Sequence, residues 1–121
     1  MRYALACAMS ILPACAASAQ TLPLGQWARG DGVARVRLEP CEGALCAINT
    51  WIGDTSNGEK VGDRLVMRVK PDGAGRLQGE AYDPQRKLTY AIDIRFSQNE
   101  MTTRGCILKI ACKSVSWTRL K

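Results

Sequence analysis

The side chains with the most chemistry to offer are four cysteines, Cys41, Cys46, Cys106 and Cys112, in the spacings C-x4-C and C-x5-C. Zinc is one use for such a set, but structural zinc sites favour tighter C-x2-C knuckles or add a histidine, and the sequence contains no histidine. No metal site is therefore expected. An even count with short separations reads instead as a disulfide framework. Of the possible connectivities, Cys41–Cys46 and Cys106–Cys112 are favoured, because each pair flanks a short turn-like segment.

Proton transfer would need paired carboxylates, and Glu39, Glu42, Glu80, Asp83, Asp93 and Glu100 are the acids that could meet across strands. Nothing in their spacing singles out two of them. Asp83-Pro84 reads as an Asx-type turn at a strand end. Without histidine there is no ordinary Ser-His or Cys-His nucleophile, and no serine sits in a GxSxG elbow. Phosphate-binding glycine loops, EF-hands and dinucleotide fingerprints are also missing. The chain is expected not to be an enzyme and to carry no cofactor.

A different pairing links the two ends of the folded part. Gly25-Gln26-Trp27 opens it and Trp117-Thr118-Arg119 closes it, which makes sense if the first and last strands of one barrel lie side by side. An arginine arriving from the last strand can stack on the tryptophan face while donating to backbone carbonyls. Gly25, Trp27 and Arg119 would then plug one end of the barrel.

The elements that must position these residues follow a hydrophobic period of two. In Leu88-Thr89-Tyr90-Ala91-Ile92-Asp93-Ile94-Arg95-Phe96 every even-numbered residue is apolar and most odd-numbered ones are polar, the mark of a half-buried strand. Similar runs lie near 25–29, 33–38, 45–52, 64–70, 76–82, 101–108 and 115–119. Turn signals separate them, among them Glu42-Gly43, Pro71-Asp72-Gly73 and Asp83-Pro84. Eight short strands with hairpin connections predict an all-β fold, an eight-stranded antiparallel up-and-down barrel, since closure removes exposed sheet edges. Val36, Leu38, Met67, Val69, Tyr90, Ile92 and Ile94 are expected to face inward.

Residues 1–19 read as a signal peptide: a single charge at Arg2, an apolar stretch, and Ala17-Ser18-Ala19 as the cleavage site. Leu12-Pro13-Ala14-Cys15 resembles a lipobox with an atypical proline, which makes lipidation at Cys15 the lesser alternative to cleavage after Ala19. Residues 20–121 form one expected domain, small enough for covalent staples to matter, in a periplasmic or secreted protein. Without Arg2 the charges are 16 Lys plus Arg against 11 Asp plus Glu, a net of +5. An exported basic domain meets an anionic envelope surface rather than nucleic acid. The cations alternate with apolar residues along strands, so a solvated outer face also accounts for them.

Gly25-x-Trp27, Pro40-Cys41, Leu45-Cys46, Tyr82-Asp83-Pro84 with Thr89-Tyr90, Thr103-Arg104-Gly105-Cys106 and Trp117-Thr118-Arg119 together resemble the small exported bacterial proteins grouped as domain of unknown function 2147. The resemblance spans essentially the whole of residues 20–121 and implies a lipocalin-like fold, with Gly25, Trp27 and Arg119 as its end plug. It implies no activity. Two departures stand out: the stretch after the third strand is shortened to Asp54 through Gly62, and Lys87-Leu88 stands where many members have Gly-Lys. An eight-stranded barrel holds either its own side chains or one small ligand, and with one Phe, three Tyr and three Trp the interior has few large groups to fill it. The functional expectation is a protein that binds a small apolar or amphipathic molecule, with Met67 and Tyr90 lining the site. The alternative is a filled barrel that acts through its surface as a structural, envelope-interaction or inhibitor-type protein.

Overall fold

A computed structural model describes residues 22–121, and the alternation there closes into a single ring of strands. The signal peptide, the Ala19 cleavage site and Cys15 lie outside the described residues. The strands are β1 (Gly25–Arg29), β2 (Ala34–Cys41), β3 (Ala44–Ile52), β4 (Arg64–Pro71), β5 (Arg76–Asp83), β6 (Leu88–Phe96), β7 (Glu100–Ile107) and β8 (Ala111–Arg119). Each is antiparallel to the next, and β8 pairs back onto β1 through Trp27↔Arg119, Ala28↔Thr118 and Arg29↔Trp117. The fold is a closed eight-stranded antiparallel up-and-down barrel.

Following the register around the ring fixes which residues point inward, because partners directly opposite each other share a face. Trp27 opposes Val36, Leu38 opposes Ala47, Leu45 opposes Met67, Met67 opposes Ala81, Ala81 opposes Tyr90, and Met101 opposes Trp117. All belong to the inner face. Val36, Leu38, Met67, Ile92 and Ile94 are buried there, while Val69 and Tyr90 are half-buried against them. The outer face carries Arg37, Arg68, Glu80, Asp93 and Arg104 at mid-height. That is the inverse of a lipid-facing barrel, whose outer band is apolar.

Two strands run further than the sequence pattern suggests. β2 continues past Leu38 through Pro40 to Cys41, since Pro40↔Leu45 and Cys41↔Ala44 keep the pairing going into the two-residue turn at Glu42-Gly43. β8 begins at Ala111 rather than 115, because Cys112 pairs directly with Cys106. The polar run Lys113-Ser114 hides the continuing period.

At one end the barrel is stoppered. Trp27 is fully buried, its indole Nε1 donating to the Pro23 carbonyl at 3.0 Å. The Arg119 guanidinium lies 4.3 Å from the Trp27 ring centroid and donates to the carbonyls of Leu24 (2.6 Å) and Gln98 (2.5 Å). Gly25 makes room for it, because a Cβ there would sit 2.8 Å from an Arg119 guanidinium nitrogen, and its φ of 115° suits glycine. The Gly-x-Trp spacing thus follows from one guanidinium needing both a ring and an empty corner.

Both disulfides staple hairpins. Cys41–Cys46 (Cα atoms 5.8 Å apart) spans the β2–β3 turn at the stoppered end, and Cys106–Cys112 (4.0 Å) spans the β7–β8 turn at the other. All four cysteines occupy outward register positions, so the staples take no space from the interior.

Arg119→Ala is expected to cost about 1–3 kcal/mol of stability, with Arg119→Lys recovering only part because an ammonium neither stacks nor forks. In a double-mutant cycle with Trp27→Ala the two changes should couple by at least about 0.5 kcal/mol, and simple additivity would mean that the contact carries no closure energy. Removing either disulfide as a Cys→Ala pair should lower stability by about 2 kcal/mol in denaturant titrations.

Candidate functional site: an apolar chamber beneath a charged mouth

The end opposite the stopper is open, and the interior below it is hollow. Three small residues on the inward tracks border it: Ala47, Gly105 and Ala111. Gly105 is the tightest of these near the mouth, since a Cβ there would lie 2.6 Å from the Tyr90 ring, which is laid across it. The result is an apolar chamber of ≈ 300 Å³ bounded by residues such as Leu38, Met67, Tyr90, Ile92, Met101 and Val115. Trp117 closes one wall, its indole nitrogen held by the Thr103 hydroxyl at 3.0 Å.

The chamber opens into a polar vestibule of ≈ 820 Å³ that shares Val36, Ala47, Leu65, Tyr90, Lys113, Val115 and Trp117 with it. Its rim is charged. Arg29, the third inward residue of β1, reaches the β3–β4 connection and grips Glu59 with two hydrogen bonds of 2.8 and 3.1 Å while its Nε holds Asp31 at 2.9 Å. The Arg29 hydrogen bond is the chief reason that the Glu59 carboxyl lies below the usual glutamate range, and Glu59 in turn pushes Arg29 further up. At Asp83, burial would raise the carboxyl, but donation from the Arg86 side chain and backbone and from Gln85 outweighs it and the pKa falls. Tyr90 moves the other way, its hydroxyl pushed up first by burial and then by the Asp83 charge.

Lys113 is different. It stands on the inward track of β8, opposite Gly105, and borders both the chamber and the vestibule. Among the described residues it makes no ion pair. It is a cation at the threshold of an apolar hole.

The structure places Met67 in the chamber wall and Tyr90 where chamber meets vestibule. Gly25, Trp27 and Arg119 lie at the opposite end. The candidate acids do not converge: Glu39 is held by Arg37 (2.7 Å) and Asp93 by Arg76 (3.2 Å), both on the outer face, and Asp83 alone reaches the mouth. Sequence reading missed Arg29, Glu59 and Lys113. Lys113 had a readable signal, because it shares the parity of Val115, Trp117 and Arg119, and extending that track two residues upstream would have exposed a cation on the apolar side.

A bacterial family described as "Uncharacterized protein conserved in bacteria (DUF2147)" matches residues 25–119, from the first strand to the arginine of the stopper. The chain belongs to this family. Among solved structures, a redesigned β-barrel is similar at a TM-score of 0.53 and 12% identity, covering 82% of this chain and 91% of that one. That likeness concerns the fold alone. The comparison with curated proteins finds no match. For a DUF2147 member, the match boundaries themselves are informative: they coincide with Gly25 and Arg119, the residues that close the ring.

Because Glu59 is lowered in the folded state, its stabilising effect is complete above the ordinary glutamate pKa and is lost as pH falls through the lower native value. Glu59→Gln should therefore cost about 1 kcal/mol at neutral pH and flatten the loss of stability toward about pH 3. Denaturation midpoints measured across that range check it, and an unchanged acid slope would show that the Arg29–Glu59 grip contributes nothing.

Proposed function

We propose that this protein binds a small amphipathic molecule, with the apolar part in the chamber and the polar head at the mouth. The observation that carries this reading is the continuity of an apolar ≈ 300 Å³ chamber with a charged vestibule. Such a site is concave, mostly apolar and equipped with few polar groups, as small-molecule sites generally are. An apolar cavity of about 150 Å³ takes benzene, so twice that volume suits a chain of about a dozen non-hydrogen atoms. Met67 adapts to an irregular chain from the wall, Tyr90 offers a polar tip on an apolar body, and Lys113 pairs with an anionic head.

Binding accounts for the site better than catalysis does. Glu59 and Asp83 at the mouth are held ionised with arginine partners, which suits a rigid gate and not a proton donor. A filled barrel that acts only through its surface does not account for an apolar chamber left open beside the small inward residues Ala47 and Ala111. The paired cysteines point to an oxidising, extracytoplasmic environment, and a periplasmic or secreted location fits a carrier of this kind.

Decanoate is a suitable probe. Calorimetry should give stoichiometric binding with a negative heat-capacity change, the mark of apolar burial. Ala47→Phe should abolish binding by filling the chamber, whereas Lys113→Gln should weaken decanoate about tenfold and leave a neutral alcohol of the same length unaffected. Absence of decanoate binding, together with native mass spectra of host-purified protein that show no bound small molecule, would overturn the reading.

A further inference from the structure

The open end also carries the most exposed aliphatic side chains among the described residues. Leu108 is 82% exposed and Ile110 84%, and both lie in the turn that joins β7 to β8. Ile110 N–H donates to the Ile107 carbonyl at 3.3 Å, and the two central residues, Leu108 and Lys109, have φ of 54° and 63°. Hairpin turns with two positive φ angles ordinarily use Asn-Gly or Asp-Gly, because a side chain is disfavoured there. The β2–β3 turn at the stoppered end follows that habit more closely, placing Glu42 at 49° and Gly43 at 77°. A leucine in this position is costly twice, once in backbone conformation and once in apolar surface left in water.

The cost is sustained by the disulfide. Cys106 and Cys112 are directly paired one step below the turn and tie its two legs together. Between Cys106 and Lys113 the sequence reads Cys-Ile-Leu-Lys-Ile-Ala-Cys-Lys, with two lysines and no carboxylate. The neighbouring β5–β6 turn adds Lys87 beside the part-exposed Leu88. The tip is thus aliphatic, cationic and held rigid.

We infer that this hairpin tip docks the open end of the barrel onto an anionic lipid surface, with Leu108 and Ile110 entering the acyl boundary and Lys109 lying among the headgroups. Aliphatic side chains beside lysines match an interface where apolar burial and attraction to anionic lipid act together. A protein partner fits less well, because protein interfaces are enriched in aromatic residues and arginine and depleted in lysine. The inference stands apart from the ligand reading, since the tip lies outside the chamber.

The test is vesicle flotation of host-purified protein with phosphatidylcholine vesicles, with and without phosphatidylglycerol. The protein should float with the anionic vesicles and much less with the neutral ones. Leu108→Ser/Ile110→Ser should lower the partition about tenfold with no loss of thermal midpoint, because both side chains are already in water. Lys109→Glu should weaken binding at low salt, with the difference vanishing at high salt. Equal partition onto both vesicle types, or undiminished binding by the serine variant, overturns the proposal. Should the serine variant fail to fold, Lys109→Glu decides alone, and undiminished binding at low salt overturns it just as fully.

Discussion

The Arg119 guanidinium lies over Trp27 where the first and last strands of the sheet meet, and that seam is the thinnest part of the ring. β1 is five residues long and pairs with β8 over Trp27–Arg29, with one more backbone hydrogen bond on either side, whereas β5 and β6 pair along almost their whole length. Backbone hydrogen bonds alone give such a seam little advantage over an open edge. Side chains on the inward track of β1 supply the rest. Trp27 holds the seam through the stacked arginine of β8, and Arg29, two residues on, ties β1 to the β3–β4 connection through Glu59. One short strand thereby secures both rims.

That arrangement explains why the upper interior can stay hollow. A barrel of this size needs a packed core, and the lower half supplies one: Trp27, Leu77 and Ile94 are fully buried there. The small residues above them forgo further packing, which is destabilising. Covalent bonds outside the wall offset part of the loss, one at each end and on different hairpins. The division of labour is spatial: stability comes from the stopper, the floor and the staples, and the middle of the barrel is left free.

Much of this was legible because it is local. The alternation Leu88–Phe96 is visible without any partner, both cysteine pairs flank their own turns, and Gly-x-Trp with a terminal arginine makes sense only for adjacent end strands. What escaped reading was non-local or disguised. Arg29 and Glu59 are 30 residues apart in sequence, and nothing in either neighbourhood names the other. Lys113 was hidden because a lysine among Cys, Ser and Lys looks like a solvated strand end, so the last strand was read four residues too short. The charges that alternate along β2 and β4 do form a solvated outer face, but the same argument, applied to β1 and β8, would have placed Arg29 and Lys113 on the wrong side.

The molecule is therefore polarised from end to end. At the stoppered end the exposed large apolar side chain is Leu24, whereas Trp51, Val61, Leu88, Leu108 and Ile110 all lie toward the open end. A protein optimised only for solubility would not gather its exposed apolar side chains around the open mouth. Nor would it set a leucine at positive φ in the turn beside that entrance when the turn at the far end manages with Glu-Gly. Exposed apolar side chains thus flank the charged rim, and the chamber beneath it has the same apolar character. The ionic grip between Arg29 and Glu59 then has a second consequence, since it ties the β3–β4 connection to β1 at the edge of the vestibule. Rim, grip and chamber are three consequences of a barrel sealed firmly at one end only.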